Sequence, residues 1–203
     1  MTRPTSDIAF SPAVKAVQTR RGSRTAMARL EDRGGFRQAI DERMIQALAQ
    51  ANSAYLVTAH SSGQPYAQHR GGPKGFIRIL DDHTIGFADY AGNRQYISTG
   101  NLAENPQAFL FLMDYAHRRR VKIWGKARVV EDDPTLIGKL MSPGYEAVAT
   151  AAILFEISAW DLNCPQHIPQ KFDSADVAAA LDHLNARIAA LEAENAALKG
   201  ELP

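Results

Sequence analysis

Short β-prone runs, separated by polar turns, fill the chain between residues 52 and 160. The run 108–113 is apolar throughout, which predicts a strand that is buried on both of its faces. A Ser-Ser-Gly turn at 61–63 separates the first two runs and is typical of a hairpin. Many short strands with polar turns favour a β-barrel. The predicted strands span residues 54–59, 64–70, 75–80, 84–88, 108–113, 121–130 and 153–157.

Helical patterns flank and interrupt these strands. Apolar residues recur at the spacing of one helix face and predict a helix over residues 36–51. Residues 93–104 form a second predicted helix, which ends at an Asn-Pro pair. A third helix opens at Asp133, because a proline follows at the first helical position. The apolar residues that predict the first helix are Phe36, Ile40, Met44, Ile45 and Leu48.

The fold class that these elements predict is α+β, with the chain divided into three segments. Residues 1–35 are polar and mixed, and form an N-terminal extension that either wraps the domain or packs on a partner. Residues 36–172 form the barrel domain with its peripheral helices. Residues 174–203 form a C-terminal helix that is rich in Ala, Leu and Glu.

Two series of mostly apolar residues in the C-terminal helix each repeat every seven positions. This pattern predicts the seam of a parallel two-stranded coiled coil of about three heptads. Asn195 takes an a position, where a polar residue fixes the register. Two flanking charge pairs, Arg187 with Glu192 and Glu194 with Lys199, are attractive between two such helices. The a series is Leu181, Ile188, Asn195 and Leu202, and the d series is Leu184, Leu191 and Leu198.

Two interpretations of this stripe stay open. In the first, two copies of the chain pair through it. Because three heptads are marginally stable alone, such a coil would reinforce a dimer that is formed elsewhere. In the second, the helix docks on its own domain with the same residues.

Composition narrows the class of protein. The 203 residues are 45% hydrophobic and 22% charged, with 23 basic and 22 acidic residues and a net charge of +1. This balance argues against a nucleic-acid or anionic-membrane binder. The one cysteine, Cys164, excludes an internal disulfide and fits a reducing compartment. No segment resembles a signal peptide or the roughly 20 apolar residues of a membrane span. We therefore expect a cytoplasmic protein.

Familiar catalytic motifs are missing from the sequence. It contains neither a phosphate-binding P-loop nor the glycine motif that binds dinucleotides after a strand. The six histidines lack the spacing of metal ligands, so we expect no metal site. We also expect no essential protein nucleophile.

Basic clusters mark three candidate anion sites, of which the first two contain glycines. In residues 69–76, Arg70 can hold an anion by a forked contact, unless the segment is only an exposed hairpin turn. In residues 91–95, free N–H groups at a helix start favour a phosphate that Arg94 would neutralise. The alternative there is a solvated helix cap. Residues 118–120 are three arginines at the start of a strand, and either reach a phosphate or form a solvated surface run.

The order of several motifs is informative. Arg70 is followed by Thr-Ile-Gly-Phe-Ala-Asp at 84–89, Gly-Asn-Arg at 92–94 and Asn-Leu-Ala-Glu-Asn-Pro at 101–106. An apolar strand and Arg-Val-Lys-Ile-Trp-Gly-Lys-Ala-Arg-Val at 120–129 come next. This order resembles the pyridoxamine 5′-phosphate oxidase-like flavoproteins, the FMN-binding split barrels, over roughly residues 40–160. Segments 10–18 and 160–168 are similar to those of a bacterial subfamily.

The resemblance implies a homodimer with one FMN in each of two clefts between the subunits. It implies that Arg70 and Arg94 hold the FMN phosphate, with Asn93 and Gln95 beside it. It also places five residues near the flavin ring or the ribityl chain, namely Gly71, Gly72, Pro73, Arg120 and Trp124.

The chain departs from the true oxidase near its C-terminus, where that enzyme has a Trp…Arg segment for its substrate phosphate. Here Trp160 either stacks on the flavin or packs in the core. Prolines stiffen the loop that follows, in which Gln166 and His167 either contact the flavin or a substrate, or order the loop at the dimer seam. His167 is the candidate for carrying a proton. Cys164 is either a redox thiol or a packing residue. The substrate therefore stays open.

Two functions follow from the resemblance. The leading interpretation is an FMN-dependent oxidoreductase that acts on a small molecule, with NADH and NADPH among the candidate electron donors. The alternative is a carrier or sensor that binds a flavin or haem without catalysis. A third interpretation, a scaffold whose tail recruits partners, would apply to a chain that binds neither cofactor.

Overall fold

Three short helices precede seven strands along the chain, two helices interrupt the strands, and a long helix follows them. A computed structural model describes residues 3–163 and 165–200. A 3-10 turn at Thr5–Ile8 comes first. The helices are α1 Pro12–Arg20, α2 Arg24–Asp32, α3 Glu42–Gln50, α4 Ile97–Glu104, α5 Pro134–Leu140 and α6 Ser174–Gly200. The strands are β1 Ser53–Ala59, β2 Pro65–Gly71, β3 Arg78–Ile79, β4 Thr84–Tyr90, β5 Gln107–Asp114, β6 Arg119–Val130 and β7 Ala149–Asn163.

The seven strands form one antiparallel sheet in the order β2-β1-β5-β6-β7-β4-β3. Strands β2 and β4 are not neighbours in this order, yet Arg70 on β2 forms an ion pair with Asp89 on β4. The sheet therefore curls until its two sides approach each other, and a split remains between them. This architecture confirms the predicted α+β class and the split β-barrel.

Burial alternates along the central strands, as expected for a sheet with one face on the core. On β5, Leu110 and Leu112 are buried, whereas Phe109 and Phe111 on the opposite face are half-buried. The prediction that this apolar run is buried on both faces is therefore wrong for the single chain, because the outer face is only partly covered. The largest side chains of the core are Trp160, Phe76, Phe87, Phe155, Met44 and Leu48.

The N-terminal extension wraps its own domain. Phe36 stacks on Trp124 of β6, with ring centroids 5.1 Å apart and planes 3° from parallel. Phe10 meets Phe36 edge-on at 5.4 Å. An ion pair of 2.9 Å between Lys15 and Glu31 joins α1 to α2, and the Lys15 hydrogen bond lowers the pKa of Glu31. The extension therefore covers part of the outer face of the sheet.

The helix predicted over residues 36–51 begins only at Glu42. Before it the chain is held in an isolated β-bridge, in which Arg37 exchanges backbone hydrogen bonds of 3.1 and 2.7 Å with Trp160. Asp41 then caps α3 by accepting hydrogen bonds from two backbone N–H groups of its first turn. The predicted start of this helix at residue 36 is therefore wrong. Phe36 and Ile40 match the helical spacing, but they lie in the segment that contains the β-bridge, before the helix begins.

The strand predicted over residues 75–80 is reduced to Arg78–Ile79. Gly75 has a left-handed φ of 76°, and its N–H donates to the carbonyl of Ala51 at 2.9 Å, so the chain turns there instead of extending. The last strand is longer than the predicted 153–157, because its alanine-rich start also pairs with β4. Helix α5 begins at the predicted Asp-Pro pair.

Helix α6 extends from the body without docking on it. Its residues 174–200 are exposed throughout. Only its first turn is tied to the body, through an ion pair of 3.0 Å between Asp176 and Lys74. The interpretation in which the stripe docks on its own domain is therefore wrong. Leu202 of the predicted seam lies outside the described residues. Among residues 3–163 and 165–200, no helix has the length and apolar character needed to span a bilayer.

Gly125 lies at a register shift between β6 and β7, where the two backbones approach closely. A Cβ atom at this position would lie 2.0 Å from the carbonyl oxygen of Glu156 and 2.6 Å from the Phe155 ring. We expect Gly125→Ala to lower the free energy of unfolding by about 3 kcal/mol or more, because the backbone must move to admit the methyl group. Denaturant unfolding measures the change.

The matched control is Gly138→Ala in α5, where a Cβ atom would meet nothing within 4 Å. Alanine has the better helix propensity, so this variant is expected to gain up to about 1 kcal/mol. Equal stability of the two variants would contradict the close approach at Gly125.

Candidate functional site

A cleft of about 160 Å³ lies at the split between β2 and β4. We call it the arginine cleft, because Arg70 from β2 and Arg94 from the loop after β4 both line it. The two arginines are distant in the sequence and were each predicted as an anion ligand. The other lining residues are Gln68, Asp89, Tyr90, Ala91, Gly92, Asn93, Tyr96, Ser98, Thr99 and Thr150.

Arg70 is the central side chain of the arginine cleft. Its guanidinium forms an ion pair with Asp89, and its second terminal nitrogen donates to the side-chain oxygen of Gln68 at 3.3 Å. Its Nε is buried and has no hydrogen-bond partner among residues 3–163 and 165–200. A buried N–H without a partner costs free energy, which an anionic oxygen in the cleft would recover.

A polar network beneath the cleft holds these groups in place. The buried Ser98 hydroxyl of α4 donates to the same Gln68 oxygen at 3.0 Å, so this oxygen accepts from both β2 and α4. One turn further along α4, Asn101 donates to the hydroxyl of Thr58 on β1 at 3.0 Å, and both residues are buried. These bonds fix the start of α4 against the sheet, and thereby fix one wall of the arginine cleft.

The loop that carries Arg94 is strained. Arg94 and Tyr96 have φ angles of 57° and 53°, in the left-handed region that side chains rarely adopt. Asn93 accepts a hydrogen bond of 3.2 Å from the backbone N–H of Gln95, which tightens the turn. Non-glycine residues persist in this region only where the surroundings hold them, and such strain is concentrated at functional sites.

The helix predicted over residues 93–104 begins at Ile97, because the two left-handed residues keep the segment before it out of helical conformation. Its first turn nevertheless lines the arginine cleft through Ser98 and Thr99. The first N–H groups of a helix have no partner within the helix and carry the positive end of its dipole. The cleft therefore combines two guanidinium groups with a helix N-terminus.

The electrostatics of the cleft are set by two cations and one anion. Burial raises the pKa of the Asp89 carboxyl above its ordinary value, although the charge and the hydrogen bond of Arg70 act in the opposite direction. Even when Asp89 is ionised, its one negative charge is outnumbered by the two guanidinium groups of Arg70 and Arg94. The arrangement therefore favours an anionic ligand such as a phosphate ester.

The size of the cleft limits what it can hold. Sites that bury a whole drug-sized ligand have volumes of roughly 300–1,000 Å³. At about 160 Å³, the arginine cleft fits the anionic end of a ligand and leaves a larger ring system outside it. The residues present therefore fit the phosphate end of a flavin nucleotide.

Three of the residues that the resemblance places at FMN line the arginine cleft, namely Arg70, Asn93 and Arg94. Gln95 lies in the same loop without lining it. Gly71, Gly72 and Pro73 follow Arg70 along the chain and lead to Lys74, which lines a second cleft of about 390 Å³ at the base of α6.

Arg120 and Trp124 lie on β6, away from the arginine cleft. The Nε of Arg120 is buried and, among the described residues, has no hydrogen-bond partner. Trp124 packs between Phe36 and Phe109, whose ring centroids lie 5.1 and 5.2 Å from its own. The structure brings neither residue near Arg70 within one chain.

Trp160 has no exposed surface, and its indole N–H donates to the carbonyl of Ala39 at 2.9 Å. It is a core residue, so the flavin contact expected of it is not available in the single chain. Gln166 and His167 are exposed on a turn and line neither cleft. Cys164 lies outside the described residues.

Among the lining residues that sequence reasoning missed, Gln68, Asp89 and Ser98 form the polar contacts around Arg70. Asp89 is the last residue of the Thr-Ile-Gly-Phe-Ala-Asp motif, and no local pattern indicates that it faces Arg70 across the split. Gln68 lies two residues before Arg70, so the alternation of a strand places the two side chains on one face. The two-residue alternation of the strand is the signal that could have identified Gln68 as a neighbour of Arg70.

A family model described as pyridoxamine 5′-phosphate oxidase matches residues 40–163. The chain belongs to the pyridoxamine 5′-phosphate oxidase family. The match spans all seven strands and every residue that lines the arginine cleft. The family resemblance predicted from the order of the motifs is therefore confirmed. A search of curated proteins gave no match.

Solved structures with a similar fold include HupZ from Group A Streptococcus, with 17% identity over 66% of this chain and 100% of that chain, and a TM-score of 0.49. A Clostridium acetobutylicum protein related to general stress protein 26 has 13% identity over 68% and 99% of the two chains (TM-score 0.45). An FMN-binding protein from Syntrophomonas wolfei has 11% identity over 72% and 97% (TM-score 0.45).

The raised pKa of Asp89 predicts a pH dependence of stability. Because the folded-state pKa lies above the unfolded value, the folded protein binds this proton more tightly. The free energy of unfolding of the wild type, relative to Asp89→Asn, is therefore expected to rise as the pH falls through the folded pKa. The difference levels off below the unfolded pKa. Denaturant titrations over a pH series measure it.

The exposed Asp132 provides the control, because Asp132→Asn is expected to leave this pH dependence in place. A relative stability that decreases over the same pH range would show that the attraction of Arg70 outweighs the burial of Asp89.

Proposed function

We propose that the protein is an FMN-dependent oxidoreductase that holds the FMN phosphate between Arg70 and Arg94. The convergence of these two side chains on one cleft is the observation that carries the proposal. Membership of the pyridoxamine 5′-phosphate oxidase family supports it. The unpartnered Nε of Arg70 and the first turn of α4 supply further donors for phosphate oxygens.

Asp89 orients the binding group. Its ion pair holds one end of the Arg70 guanidinium on β4, and Gln68 accepts from the other terminal nitrogen. The guanidinium is therefore fixed before a ligand arrives, which reduces the entropy lost on binding. Arg94, on the opposite wall, adds the second positive charge. The chain thus binds and orients the phosphate with groups that are already in place.

A second copy of the chain is part of the proposal. The arginine cleft is too small for a tricyclic ring, which must lie beyond its mouth. Covering that ring and excluding water from it requires protein from outside the cleft. The outer face of the sheet still exposes 38% of Tyr55, which pairs with the half-buried Phe111 on β5. Apolar surface of this kind supports a homodimer as the assembly that completes the site.

When bound, the flavin supplies the hydride and electron transfer chemistry, and the protein supplies position and an environment of controlled polarity. The substrate is a small molecule that reaches the ring from the dimer seam. The chain needs no nucleophile of its own for such a reaction. NADH and NADPH are the electron donors to be tested first.

Arg94→Ala tests the phosphate site. Removing one charge-assisted contact is expected to weaken FMN binding by roughly 10- to 150-fold, equivalent to about 1.5–3 kcal/mol. Quenching of flavin fluorescence in an equilibrium titration of the apoprotein measures the affinity. Riboflavin has no phosphate, so its affinity is expected to be unchanged by the same substitution.

Arg43→Ala, which removes an exposed arginine of α3, is the matched control for the loss of one positive charge and is expected to bind FMN as the wild type does. An unchanged FMN affinity in Arg94→Ala would place the phosphate elsewhere. Equal losses for FMN and riboflavin would assign Arg94 to the fold of the loop instead of to the phosphate.

The redox function has a separate test. With FMN bound, anaerobic addition of NADH or NADPH is expected to bleach the visible flavin absorbance, and admission of oxygen or another acceptor is expected to restore it. A bound flavin that dithionite reduces, but that neither pyridine nucleotide nor a reduced deazaflavin reduces, would contradict the oxidoreductase and leave a flavin-binding protein.

A further inference from the structure

Helix α6 carries a mostly apolar stripe that no other part of residues 3–163 and 165–200 covers. Its 27 residues rise for about 40 Å, at about 1.5 Å each, away from the body. The stripe repeats at the seven-residue period of a supercoil. Between 41% and 55% of each stripe residue is exposed, for Val177, Leu181, Leu184, Ile188, Leu191 and Leu198.

We propose that α6 pairs with the same helix of a second copy as a parallel, in-register, two-stranded coiled coil. The inference does not depend on the proposed flavin chemistry. The partner helix is assigned to a second copy of the chain, because the charged residues beside the stripe are complementary to those of an identical parallel helix.

The charges beside the stripe favour a second copy. In a parallel pair, Arg187 at a g position faces Glu192 of the partner subunit at the following e position, and Glu194 faces Lys199 of the partner subunit. The two-fold axis repeats both contacts, so four opposite-charge pairs flank the seam. All four are attractive, and no pair of like charges faces across it.

Asn195 determines the direction of the pairing. In a parallel coil it lies opposite its own copy, where the two amides hydrogen-bond to each other. In the antiparallel arrangement that pairs the whole stripe, Asn195 lies opposite Leu184 of the partner subunit, and its amide is buried without a partner. An unpaired buried amide costs about 1–3 kcal/mol, so the parallel arrangement is favoured.

The base of α6 is fixed to the body. Lys74 forms ion pairs of 3.0 Å with Asp176 and 3.8 Å with Asp173. Asn52, between α3 and β1, also donates to Asp173 at 2.9 Å. These contacts orient the first turn on the body, so a parallel coil would align the two bodies about the same two-fold axis. The coil thereby restricts which faces of the two bodies can meet.

Disulfide trapping in the full-length chain tests the pairing. In a chain with Cys164→Ser, so that the introduced thiol is unique, Leu198→Cys is expected to form an intermolecular disulfide under mild oxidation at low protein concentration. In an antiparallel coil the two residues 198 would lie about 25 Å apart and could not react. Ala193→Cys on the outer face of the helix is the control, and is expected to remain reduced.

Charge reversal provides the second measurement. Arg187→Glu creates like-charge contacts with Glu192 of the partner subunit, and is expected to raise the dimer dissociation constant roughly tenfold in sedimentation. Adding Glu192→Arg restores the attraction and is expected to recover the wild-type value. A variant that merely failed to fold would not be rescued in this way.

The outcomes separate the two proposals. A Leu198→Cys chain that does not crosslink, or a Glu192→Arg rescue that fails, would overturn the coil whether or not FMN binds. Conversely, a crosslinked chain with rescued dimerisation that binds no FMN would retain the coil and overturn the flavin site.

Discussion

The ion pair between Arg70 and Asp89 joins two strands that share no backbone hydrogen bonds. Strand β2 lies at one edge of the sheet and β4 near the other. The backbone hydrogen bonds of the sheet leave the barrel open between these two strands, and this side-chain contact closes it. Both side chains are largely buried, and the contact between them holds the two sides of the sheet together. The same contact that closes the barrel also forms the wall of the arginine cleft. Fold and site therefore depend on one interaction.

A second constraint acts on the opposite wall. The left-handed residues Arg94 and Tyr96 delay the start of α4, so the loop bends around the cleft instead of continuing the helix away from it. Buried hydrogen bonds from Ser98 and Asn101 to the strands oppose this strain. The position of Arg94 thus reflects a balance between an unfavourable backbone and a well-anchored helix, a balance that is common in sites where strain serves binding.

The sequence predicted most of the strands, the family and the two arginines that line one cleft, because alternation, turn residues and motif order are local signals. It did not reveal what depends on contacts across the fold. Asp89 is an ordinary strand residue until the curled sheet places it against Arg70. Phe36 matches the helical spacing of α3, yet it lies before the helix and stacks on Trp124. Trp160 was a candidate flavin contact by its place in the motif. It is instead buried in the core, where its indole N–H donates a hydrogen bond to the carbonyl of Ala39.

The cover that Phe36 places over Trp124 has a consequence for assembly. Phe10 packs edge-on against Phe36, so two aromatic rings from the N-terminal part of the chain cover this part of the sheet. A surface occupied in this way is closed to other molecules, and apolar area is left free around Tyr55 instead. Changes at Phe10 or Phe36 would therefore alter which apolar surface of the sheet is exposed, without altering any residue that lines the arginine cleft.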